Sequence, residues 1–143
     1  YCNNSTYTKK KNKLIMPNTA IELATSIMQM WNETNVFFIQ NKLHKNCRYG
    51  SQWVLNDLEG ELEIMVYLGG KMQTMKTSIA NKETSVSAAL AWHPNYDNTP
   101  CVILSQTTNI TTTKVLIEIK SKNGLITDID ICGVPSADMA KLM

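Results

Sequence analysis

The chain has 143 residues, 43% hydrophobic and 18% charged, with 14 basic residues against 12 acidic ones for a formal net charge of +2. That length suits one domain with a single core, and so small a charge excess excludes the field needed to hold nucleic acid or an anionic membrane. No apolar run approaches the ~18–20 residues of a transmembrane helix, so a soluble chain without membrane insertion is expected.

Residues 1–17 are polar, contain the basic run Lys9, Lys10, Lys11 and Lys13, and end at Pro17; they read as a solvated arm, leaving residues 18–143 as one domain. The start at Tyr1 rather than Met reads as a processed or trimmed product. Thr19 with Glu22 three residues later has the form of a capping box. Leu23, Ile27, Met30 and Trp31 then recur at helical spacing and predict a short amphipathic helix over about 19–31.

Beyond Asn35 the segments become short, rich in Val, Ile, Thr and aromatic residues, and punctuated by turn residues, which predicts strands. They fall at 36–43, 47–56, 61–68, 71–79, 85–92, 101–107, 113–121 and 125–132. Gly69-Gly70 and Asn123-Gly124 supply hairpin turns, and Leu62, Ile64, Val66 and Leu68 alternate with polar neighbours as a strand with one buried face should. Eight strands joined by hairpins make an up-and-down antiparallel meander. Closing it removes both edges, so the expected fold is all-β: an eight-stranded barrel preceded by a short N-terminal helix, with an interior wide enough for one small ligand.

Chemistry is sparse. His44 and His93 belong to no recognisable base or metal-ligand spacing, no GxSxG or glycine-rich phosphate loop occurs, and no catalytic residue, metal or cofactor is expected. Asp128 and Asp130 share a strand face, a geometry open to glycoside chemistry but more simply a solvated outer face. The eight methionines read as core filling. Four cysteines, Cys2, Cys47, Cys101 and Cys132, lack the CxxC spacing of a zinc site and suggest two disulfides. With N-x-S/T acceptors at Asn3, Asn4, Asn32 and Asn109, they point to a secreted glycoprotein in an oxidising, extracellular setting.

The segment CVILSQTTNITTTKVLIEIKSKNGLITDIDIC, residues 101–132, resembles the biogenic-amine signature of tick salivary lipocalins, members of the calycin superfamily. The matching residues are Cys101, Val102 and Ile103, then Glu118, Ile119 and Lys120, then Cys132; residues 21–47 follow the family's order of helix, aromatic strand and cysteine. The resemblance implies a salivary barrel that sequesters a host mediator and modulates host defence; a monomer is expected. It also implies Cys101 paired with Cys132 and Cys2 with Cys47, the alternative being Cys2 with Cys132 and Cys47 with Cys101. The signature's Asp is Val102 here and its aromatic is Lys120, so the groups that would hold a cationic amine are depleted. That favours an apolar or amphipathic lipid such as a fatty acid, eicosanoid or sterol over histamine or serotonin.

The expected ligand-contacting wall is Phe38, Ile39, Trp53, Ile64, Trp92, Val102, Leu104, Leu116 and Glu118. Hydrophobic alternation sends Val115, Ile117 and Ile119 inward, whereas the resemblance sends Leu116 and Glu118 inward. Other readings are a protein-binding immune modulator with a filled barrel, its partner a host protein, and an avidin-like biotin binder. The second rests on GSQWVLNDLEGELEI, GGKMQTMKTSIANKETS and ALAWHPNYDN, which resemble avidin strands in that order.

Overall fold

A computed structural model describes residues 17–51 and 56–143. The N-terminal arm up to Met16, and the stretch that holds Trp53, lie outside the described residues.

Helix α1 spans Ala20–Glu33. The capping box at its start is present: the Glu22 N–H donates to Thr19 Oγ1 at 3.1 Å and the Thr19 N–H to Glu22 Oε1 at 2.9 Å. These bonds to Thr19 hold the Glu22 carboxyl below its ordinary range. The helix ends where Thr34 turns to a left-handed φ of 47°, and it buries Leu23, Ala24, Ile27, Met30 and Trp31. A 3-10 turn, Val36–Ile39, occupies the first half of the segment expected as the first strand. Strand β1 (Leu43–Ser51) and the two-residue β2 (Leu58–Glu59) follow.

The largest departure comes next. Residues expected to form two strands and a glycine hairpin form one 20-residue helix, α2, over Glu61–Ala80. Ile64, Leu68, Met72 and Met75 are its buried residues, spaced as one helical face. Leu62 and Val66, which strand alternation would bury beside them, are 78% and 69% exposed. The same letters satisfy both periods over a short window, and only the continuation to Met72 and Met75 separates them.

The remaining strands match expectation closely: β3 (Thr84–Trp92), β4 (Pro100–Thr108), β5 (Thr111–Lys122) and β6 (Leu125–Cys132). At the β5–β6 hairpin, Asn123 and Gly124 have φ of 55° and 78°. A side chain at Gly124 would meet Pro17 Cβ at 2.6 Å, so the turn requires glycine for space as well as for φ. A 3-10 turn over Ala137–Met139 and the short β7 (Lys141–Leu142) complete the chain.

The strands form one seven-stranded sheet in the order β2-β1-β6-β5-β4-β3-β7. Strand β1 runs parallel to β6, and every other pairing is antiparallel. The eight-stranded antiparallel barrel is therefore corrected to an α+β architecture with an open mixed sheet. Two expected strands are spent on α2, and the helices cover the apolar sheet face that barrel closure would have enclosed. On that face Leu43, Cys47, Tyr49, Val102, Val115, Ile117 and Ile129 pack with α1 and α2. Each such buried Leu or Ile contributes about 1.5–3 kcal/mol. The opposite face carries a smaller cluster of Ala91, Cys101, Ile103 and Leu116 under Ala137.

Candidate functional site

Strands β4 and β5 run past the core toward their hairpin as three successive cross-strand pairs on the helix side: Leu104 with Val115, Gln106 with Thr113, and Thr108 with Thr111. Because side chains alternate across a strand, all six project to one face. The first pair is apolar and buried, whereas the next two are polar and progressively exposed. Lys71 reaches the same place from α2, and the seven residues line an open cleft of about 410 Å³. Burial holds the Lys71 ammonium below its ordinary pKa. The cleft thus combines an aliphatic floor, three hydroxyls, one carboxamide and one amine.

The other sheet face carries two ionisable clusters. Arg48 donates to Asp57 at 2.7 Å, Asp128 at 3.1 Å and Asp130 at 2.5 Å. Its hydrogen bond to Asp130, more than any other contact, raises the guanidinium pKa above its already high ordinary value. Asp128 and Asp130 are therefore ion-pair partners of Arg48 rather than a carboxylate pair held apart for glycoside chemistry.

Nearby, buried His93 bonds through Nε2 to Glu118, and its Nδ1 accepts the Asn95 N–H at 3.1 Å. With Nδ1 accepting, Nε2 carries the hydrogen that Glu118 receives. The Cys132 thiol donates to Glu118 Oε1 at 3.8 Å. Burial, followed by the Glu118 charge, pushes the Cys101 and Cys132 thiols up to about 11. Among the described residues no group of His, Cys, Asp and Glu is arranged to hold a metal ion.

Cys47, Cys101 and Cys132 are thiols not joined in disulfides. Strand β5 lies between the strands of Cys101 and Cys132, and Cys47 faces the helices on the opposite side of the sheet from Cys101. Two strand spacings are roughly 9–10 Å, beyond the reach of a disulfide. Cys2 lies outside the described residues. Of the sequons, Asn3 and Asn4 are also outside, Asn32 has its carboxamide engaged by Ala88, and Asn109 sits in the β4–β5 turn with φ of 57°.

The expected wall residues divide between the two faces. Ile39, Ile64, Val102 and Leu104 are buried in the core between sheet and helices, and Phe38 packs against it. Of these, Leu104 lines the cleft. Trp92 closes β3 and borders a shallow depression with His93, Met139 and Lys141. Leu116 and Glu118 lie on the far face, as hydrophobic alternation requires and the resemblance does not. Trp53 lies outside the described residues. Val115 faces the helix side, as hydrophobic alternation requires, whereas Lys71, Gln106, Thr108, Thr111 and Thr113 are absent from the wall expected from sequence. Strands that end at 107 and restart at 113 leave Thr108 and Thr111 inside a turn, and a strand reading of α2 gives no reason for Lys71 to meet them.

No family model matches the sequence, and no curated protein matches it. Solved structures do. A steroid delta-isomerase from Pseudomonas aeruginosa superposes with a TM-score of 0.60 at 11% identity, covering 87% of this chain and 87% of that one. An NTF2-like protein of unknown function from Cytophaga hutchinsonii gives 0.58 at 14% identity, covering 82% of this chain and 92% of that one. A protein with a ketosteroid isomerase-like fold from Catenulispora acidiphila, in complex with trimethylamine, gives 0.53 at 14% identity, covering 83% and 90%. These neighbours overturn the tick lipocalin and calycin resemblance, and they give no support to its salivary character or to the disulfide-bonded glycoprotein expected from the cysteines and sequons. The avidin-like reading falls with the barrel. In architecture the chain is an NTF2-like fold: a seven-stranded mixed sheet with helices across one face.

Proposed function

We propose that the protein binds a small, partly apolar molecule in the cleft between α2 and the β4–β5 hairpin. The observation that carries this is the change of character along consecutive cross-strand pairs, from aliphatic Leu104–Val115 to polar Gln106–Thr113 and Thr108–Thr111. An apolar surface with a few convergent polar groups is the usual composition of a small-molecule site, and about 410 Å³ lies within the common ~300–1,000 Å³ range. Solved neighbours of the same fold, one named a steroid delta-isomerase and one holding trimethylamine, support a small-molecule role. An amphipathic lipid, such as a fatty acid or sterol, has the matching division of polar and apolar surface.

Binding is favoured over isomerisation. Ketosteroid isomerase chemistry uses an Asp base with a Tyr and a protonated Asp as oxyanion hole, whereas this cleft is lined by hydroxyls, a carboxamide, an amine and aliphatic side chains.

Titration of the full chain with Nile red, a neutral apolar dye, tests the reading. One-to-one binding that Thr113→Trp abolishes by filling the cleft is expected. Absence of binding, or binding that Thr113→Trp leaves unchanged, overturns the site.

A further inference from the structure

Resting on that reading, we infer that the cleft selects a carboxylate amphiphile, with Lys71 receiving the carboxylate and the tail lying on Leu104 and Val115. Among the described residues that line the cleft, Lys71 is the one ionisable side chain. A carboxylate leaving water must recover its hydration through charge-assisted hydrogen bonds. The ammonium supplies one, and the carboxamide of Gln106 and the hydroxyls of Thr108, Thr111 and Thr113 supply neutral donors around it.

Lys71 is itself engaged within the protein. An ammonium carries three N–H donors, so an internal partner and a ligand oxygen are compatible. Burial already works against the charged amine, and an incoming anion relieves that penalty where a neutral ligand does not. A cationic amine meets the opposite situation. Its charge would be brought beside Lys71 in a partly desolvated cleft, so the trimethylamine held by one neighbour of the fold is the wrong sign of ligand for this site.

Three chain-matched probes separate the possibilities: decanoate, 1-decanol and decyltrimethylammonium, each below its aggregation limit and competed against Nile red. Decanoate is expected to bind about tenfold or more tighter than decanol, the scale of one charge-assisted hydrogen bond, and the ammonium weakest. Lys71→Met should bring the ratio of decanoate to decanol affinity to about one, and Lys71→Arg should keep the preference for decanoate. Equal binding of decanoate and decanol, or a preference that survives Lys71→Met, overturns the inference and leaves the cleft standing. Failure of Nile red to bind wild type removes the cleft itself, so the two failures are distinct.

Discussion

The carboxamide of Asn32 pairs with both backbone groups of Ala88: its Nδ2 donates to the Ala88 carbonyl at 2.9 Å, and the Ala88 N–H donates to its Oδ1 at 2.7 Å. Strand β7 covers β3 only at Ala91 and Trp92, which leaves the middle of β3 as a sheet edge. Asn32 thus imitates one residue of a partner strand and ties α1 to that edge. Asn32→Ala removes both bonds at once and is expected to cost about 1–2 kcal/mol, because two backbone groups lose partners that water replaces only in part. Asn32→Asp, which keeps the acceptor and loses the donor, should fall between. Urea denaturation measures this, and a loss below about 0.5 kcal/mol would show that the clamp adds nothing net.

Gly69 and Gly70 lie inside α2, where each glycine costs about 1 kcal/mol relative to alanine. A Cβ at Gly70 meets nothing within 4 Å, and one at Gly69 meets Val36 Cγ1 at an ordinary 3.8 Å. Gly70→Ala should therefore stabilise the protein by about 0.5–1 kcal/mol. In the hairpin expected from sequence, the same substitution would force a positive φ on alanine and destabilise. The sign of the change thus tests helix against hairpin directly.

That ambiguity also shows what the sequence could disclose. Signals complete within a few residues were readable: the Thr19/Glu22 box, the Asn123-Gly124 turn, and the β6 boundaries at 125 and 132. Signals that depend on distant partners were not. The Leu62-to-Leu68 alternation fits a strand locally, and its helical continuation matters only because sheet and helix must share one core. The parallel pairing of β1 with β6 joins residues about 80 apart and leaves no local trace. The cleft was hidden for the same reason, since Lys71 meets the threonine pairs only after α2 folds across the sheet. Glu118 is the instructive miss: alternation alone placed it on the face where it is found, and the motif resemblance moved it to the wrong one.

Arg48 holds three carboxylates that would otherwise face one another on the outer sheet surface. Gly50 makes room for this group, because a Cβ there would sit 2.7 Å from Asp130 Oδ1 and 2.8 Å from Arg48 Nη1. The Arg48 side chain is 32% exposed, so water screens the pairs and each contributes modestly. Arg48→Met should nevertheless cost about 1–3 kcal/mol, since it also leaves like charges unopposed. Adding Asp130→Asn to that variant should recover part of the loss, and 1 M salt should narrow the gap between wild type and variant. If the double variant is less stable than the sum of its single changes, repulsion is not the cause.

The thiols offer a readout of the far face. Burial pushes Cys47 up to about 12, and burial with the Glu118 charge pushes Cys101 and Cys132 up to about 11, against an ordinary value of 9.0. A two-unit rise means about a hundredfold less thiolate at pH 8, and the thiolate is the reacting species. In a Cys2→Ser variant, iodoacetamide at pH 8 should therefore label the native protein at least about a hundredfold more slowly than free cysteine. Cys132, half-buried while the other two are buried, should react first. Its rate should climb about tenfold per pH unit up to the vicinity of 11, as protons leave the thiol. Glu118→Gln removes the charge that opposes the Cys132 thiolate and should speed labelling there without changing Cys47, which lies across the sheet. Uniform labelling of all three thiols at the rate of free cysteine would mean that this face is open to solvent and that the burial of Cys101 beneath Ala137 does not hold in solution.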